Sequence, residues 1–125
     1  VASVFYDGSV LYDIFKKIDW ILDGAEDYYV NLQLLTMGMK NRVIYKFTTD
    51  PGNSNADGGC STYRDIKFHN DACNKLVEKF PEYVTLRMKM MKSGPWKGIE
   101  KAAVVCRWKD AYNSFGKPTI EKFYR

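Results

Sequence analysis

His69 precedes Cys73 by four residues, and it is the only histidine in the chain. The pair is close enough for a Cys–His arrangement, although a lone histidine beside Asn70 and Asp71 near a helix start more often caps or faces solvent. Adding Cys60 and Cys106 would give a Cys3His donor set, but no Cys-x-x-Cys knuckle supplies the paired spacing that zinc sites use. Asp19, Asp23, Glu26 and Asp27 gather oxygen ligands of the kind hard cations accept, and a solvated acidic patch accounts for them equally well. No glycine-rich loop joins a strand to a helix to cradle phosphate. These residues therefore assign no catalytic group, no metal and no cofactor, and the chain reads as a binding protein rather than an enzyme.

Binding chemistry is better supplied. Arg87 and Lys89 fall on the outward face of one predicted strand, Lys97 flanks a turn, and Lys101 and Arg107 continue along the next strand with Trp96 and Trp108 interleaved. Cations alternating with aromatic rings suit single-stranded nucleic acid, while the simpler account is a lysine-rich face that keeps a sheet soluble. Charge is distributed unevenly. Residues 1–59 carry five basic against eight acidic side chains, and residues 60–125 carry fourteen against seven, so the overall +4 resides in the C-terminal half. Such a field steers acidic partners.

The elements that must position these side chains follow from periodicity. At 125 residues with 46% hydrophobic and 15% aromatic content, the sequence fits a single domain, residues 1–125, with one core and no disorder signature. No apolar run approaches the roughly 20 residues that cross a bilayer. A start at Val1 reads as a mature product or an excised piece. Residues 83–110 predict a long antiparallel hairpin. Val84, Leu86, Met88 and Met90 alternate with polar residues, a Ser93-Gly94-Pro95 turn follows, and Ala102, Val104, Cys106 and Trp108 alternate again.

Upstream, residues 10–22 carry an apolar stripe of helical spacing stopped by Gly24, and residues 28–34 alternate as a strand up to Met37-Gly38. Residues 43–47 return as its hairpin partner, and residues 50–62 read as an exposed loop. A second, shorter helix is capped by Asn70, buries Ala72, Cys73, Leu76, Val77 and Phe80, and stops at Pro81. Residues 111–117 form a turn. A shift of 54 residues superposes residues 29–34 on residues 83–88, which suggests a helix, strand, strand unit used twice. The expected fold class is α+β: a single antiparallel β-sheet of four to six strands packed on one long amphipathic helix. Three cysteines are an odd number, consistent with one disulfide plus a buried thiol in an exported protein, or with three reduced thiols in a cytoplasmic one.

The turn Gly94-Pro95-Trp96-Lys97-Gly98, a later strand ending in Cys106 and the glycine at Gly38 resemble the hairpin loops of cystatins. The cystatin glutamine-x-valine-x-glycine loop is absent, Leu34-Leu35-Thr36-Met37-Gly38 keeping only its glycine. The resemblance implies a secreted protein with a Cys60–Cys73 disulfide. It also implies a protein partner, a papain-like protease in that family, blocked by a wedge of Met37, Gly38, Pro95 and Trp96. The second reading is a small nucleic-acid-binding domain using Arg87, Lys89, Lys97, Lys101, Arg107 and Trp108. The third is an assembly subunit that pairs through an edge strand at residues 1–6 or 119–125.

Overall fold

The computed structural model describes residue 12, residues 15–41, residue 46 and residues 65–115. The elements in chain order are α1 (Glu26–Thr36), α2 (Ile66–Lys79), β1 (Val84–Met90), β2 (Glu100–Cys106) and α3 (Trp108–Asn113). The expected strands at residues 1–6 and 119–125, the one at residues 43–47 apart from the exposed Lys46, the loop at residues 50–62 and Cys60 lie outside the described residues.

The long hairpin forms in the expected register, with Val84 opposite Cys106, Met88 opposite Ala102 and Met90 opposite Glu100. Its ladder closes at the base where the Arg107 N–H donates to the Tyr83 carbonyl, and near the tip where the Met91 N–H donates to Ile99. The expected sheet of four to six strands is not what forms: among the described residues the sheet has only these two strands. Among the described residues the difference arises at residues 28–34, which belong to α1.

That segment is ambiguous for a physical reason. Tyr29, Leu32 and Leu35 pack into one core cluster with Leu22, Leu76, Phe80, Tyr83, Val84 and Ala111, whereas Val30 and Leu34 pack with Ile18 in another. A helix buried on two sides shows no single apolar stripe, and its sequence mimics alternation. The supposed 54-residue repeat therefore pairs a helix with a strand and is not a structural repeat.

The expected helix over residues 10–22 also stops early. Tyr12 and Phe15 are helical, but residues 16–24 follow turns and irregular backbone. Side chains hold them there. The Asp19 carboxylate accepts from the Ile21 N–H at 2.9 Å, while Gln33 of α1 takes the Asp19 N–H at 2.8 Å and donates to its carbonyl at 2.9 Å. With its backbone groups bound sideways, Asp19 has none left for a helical ladder. Ile18 and Leu22 are still buried, in separate clusters.

The chain turns into α1 through two left-handed residues, Gly24 (φ 77°) and Ala25 (φ 56°). A Cβ on Gly24 would stand 2.8 Å from the Phe68 ring and 3.0 Å from Ala72, so only glycine lets this segment lie against α2. Helix α2 begins five residues earlier than an Asn70 cap predicts. Its cap is Asp65, whose carboxylate accepts from the Phe68 N–H. The expected apolar face of α2 is present, with Ala72, Cys73 and Leu76 buried against the hairpin and Phe80 closing the core. Residues 108–113, expected as the end of the hairpin and the start of a turn, form α3, which packs on α1.

Candidate functional site

Two faces and one edge of the hairpin gather the chemically distinctive side chains. Helix α2 lies along β2, and two of its side chains meet the backbone there. Asn70 Oδ1 accepts the Ala102 N–H at 2.8 Å, and His69 Nε2 stands 2.7 Å from the Ala102 carbonyl. Sheet edges normally pair with another strand, and here an amide and an imidazole take that place. This explains why Asn70 is not the helix cap: its side chain is spent on β2.

The same geometry decides the role of His69. A carbonyl oxygen only accepts, so Nε2 must carry a proton to bond to Ala102, and that nitrogen is also the one 3.6 Å from Cys73 Sγ. It therefore has no lone pair for the thiol. Cys73 is 3% exposed, and burial, partly offset by Lys101, pushes its thiol above the usual range. His69 and Cys73 are brought together as fold-holding groups. Cys73 and Cys106 are both free thiols, with Cys106 pushed up to about 11 by burial and by the nearby Asp27 and Cys73.

Beside this contact is a cleft of about 340 Å³, bounded by Tyr28, Phe68, His69, Trp96 and Lys101. Trp96 is half-buried. Its ring centroid is 5.9 Å from that of His69, and Lys101 Nζ lies 5.4 Å from it. The tip of the hairpin is thus folded back over the cleft. Tyr28 is fixed by stacking on Trp108, centroid to centroid 5.7 Å.

The cations are arranged by the ladder. Arg87 and Lys89 share the face of β1 opposite Leu86 and Met88, and Lys101 is directly across from Lys89. Among the described residues neither Arg87 nor Lys89 has a carboxylate partner. Lys97 is exposed on the tip. Arg107 is committed elsewhere, donating to the Glu82 carbonyl and lying 3.7 Å from Asp110, and Trp108 has left the strand for α3. So three of the six expected residues, Arg87, Lys89 and Lys101, form a contiguous patch.

The loops named by the cystatin resemblance have different neighbours. Met37 and Gly38 end α1 instead of bending a hairpin, and a Cβ on Gly38 (φ 83°) would meet the Phe115 ring at 2.7 Å. Pro95 and Trp96 do occupy a hairpin turn. The acidic cluster is also dispersed. Asp19 is held by Ile21, Tyr29 at 2.8 Å and Lys79 at 3.6 Å, and among the described residues no three metal-ligating side chains converge. Sequence reasoning gave Asn70 the role of a cap and missed Tyr28. An asparagine beside a histidine at a helix start was a visible signal for the first; Tyr28 left none.

Comparison with known proteins adds a second line. Two similar proteins are glucosyl transferases. Each is a beta-glucosyl-HMC-alpha-glucosyl-transferase, from Enterobacteria phages T2 and T6, and each is 34% identical over 61 residues, 49% of this chain. The matched stretch spans 22% of the length of those phage transferases. No protein-family model matches the chain, and no solved structure matches it. No helix among the described residues is long and apolar enough to cross a membrane.

Proposed function

We propose that this chain binds nucleic acid through the basic face of its hairpin and holds it as the acceptor for glucosyl transfer. The observation that carries the reading is the Lys89–Lys101 pair. Like charges directly opposite each other in an antiparallel ladder destabilise it, and here Arg87 extends the same row with no carboxylate among the described residues to relieve it. A polyanion laid along the face removes that repulsion, and phosphates are the ligands that a row of Lys and Arg positions best. The likeness to glucosyl transferases supports the second half of the reading, since the phage enzymes are named for adding a glucosyl group to beta-glucosyl-HMC.

The test is binding of a labelled DNA duplex across a salt series. Affinity should fall steeply with salt, and each of Arg87→Gln, Lys89→Gln and Lys101→Gln should lower the log–log slope by roughly one. Binding that is weak at low salt, or indifferent to all three substitutions, removes the proposal. With an added activated glucosyl donor, glucose passing to a DNA hydroxyl as the donor's leaving group is released, and only when this face is intact, would support the transfer half.

A further inference from the structure

The basic face and the aromatic cleft share one residue. Lys101 has its backbone in the ladder opposite Lys89, yet its ammonium stands over the Trp96 ring at the mouth of the cleft. A ligand that follows the row of cations is therefore led to Trp96. The cleft, about 340 Å³, has the size of a small-ligand site, with mostly apolar and aromatic walls and few polar groups. Its ring-bearing walls come from three separate parts of the fold: Tyr28 from α1, Phe68 from α2 and Trp96 from the hairpin tip.

We infer that this cleft takes one unpaired nucleobase of the bound strand, stacked against Trp96, with its phosphate at Lys101 and the neighbouring phosphates along Lys89 and Arg87. A flat ring carried on an anionic backbone uses both halves of the arrangement. A neutral sugar would use the aromatic walls and leave the cations idle, and a paired base enters only after it is unpaired and unstacked from its duplex, a cost that an unpaired base does not carry. Trp96 is suited to the role by its position. It belongs to a turn flanked by Gly94 and Gly98, both at φ 80°, and its ring is part of neither core cluster, so its contacts are with the cleft rather than with the core. A second, more open hollow of about 470 Å³ is lined by Trp20, Leu22, Asp23, Gly24, Glu26 and Phe68, none of them a cation.

The inference rests on the basic face binding nucleic acid, and the experiment separates the two. Fluorescence anisotropy would compare a labelled single-stranded oligonucleotide, the blunt duplex of the same sequence and, in competition, a nucleoside monophosphate. The expected result is single-strand affinity roughly tenfold above that of the duplex, in line with the usual value of one base stacked on an aromatic side chain. Trp96→Ala should reduce it to the duplex level while duplex binding stays unchanged. Trp96→Phe, which keeps a ring in place, should restore most of the difference.

Equal affinity for single strand and duplex, with Trp96→Ala altering neither, overturns the base-binding cleft and leaves the basic face standing. Competition by the free nucleotide that depends on Trp96, without any preference for single strands, overturns the strand as the source of the base. Salt-independent or absent binding to both forms removes the underlying reading as well.

Discussion

The two edges of one small sheet are finished differently. Along β2 the outward N–H and C=O of Ala102 are answered by Asn70 and His69, and Ala102 itself is 1% exposed beneath α2. Along β1 the register turns the backbone groups of Leu86, Met88 and Met90 away from β2, and no described strand meets them; their side chains are 37%, 51% and 51% exposed. The same apolar alternation runs through both strands. Which strand becomes core is decided by what lies over it, since α2 covers β2 and the base of the hairpin and leaves the rest of β1 in solvent.

The largest expected effect on that contrast is at its closed side. Leu76→Ala, in the fully buried face of α2, should cost about 2–5 kcal/mol in urea unfolding, because it opens a cavity where α2 meets the core. Asn70→Ala should cost about 1–3 kcal/mol, the penalty of leaving the Ala102 N–H without its acceptor. Met88→Ala, on the open side, should stay within about 0.5 kcal/mol. If Met88→Ala proves as costly as Asn70→Ala, the two edges are not different in the way described.

The smallest effect sharpens the account of the segment that precedes α1. Burial alone would raise the Asp19 carboxyl, but hydrogen bonds from Ile21 and Tyr29 and the nearby Lys79 outweigh it and hold it below the ordinary 3.8. A depressed folded-state value adds stability that is present above 3.8 and lost as pH falls through the folded value. Unfolding midpoints should therefore decline on acidification below about pH 4, and Asp19→Asn should flatten that part of the profile. The partner group moves the opposite way: burial and Asp19 push the Tyr29 phenol far above its usual range, so it remains a donor throughout.

How much of this was legible in the sequence differs by element. The hairpin was, because alternation bracketed by Ser93-Gly94-Pro95 has few other readings, and the face of α2 was, because its apolar positions recur at helical spacing. Alternation shows which face of a strand is apolar, however, and says nothing of whether another element covers it; hence Met88 and Met90 were expected inside and are outside. Residues 28–34 were misread because burial on two sides removes the stripe that identifies a helix. Residues 16–22 depart from the expected helix because the group that breaks it, Gln33, is 14 residues from the Asp19 it holds.

Of the candidate site, the row of Arg87, Lys89 and Lys101 followed from strand register alone. The cleft did not, because Tyr28, Phe68 and Trp96 are far apart in sequence and meet only through the packing of α1, α2 and the tip. The basic row is local information and the cleft is tertiary information.

The hairpin is anchored at one end, where Arg107 and Tyr83 close the ladder above Phe80 and Val84, and it projects from the core like a beam of seven residues per strand. At about 3.4 Å per residue, its strands are roughly 20 Å long. Asn70 and His69 brace it near mid-span, at Ala102. A small rotation at the anchored end becomes a displacement of several times that size at Trp96, and the brace sets how stiff the lever is. Loosening the brace would change the aim of the tip before it changed the stability of the core.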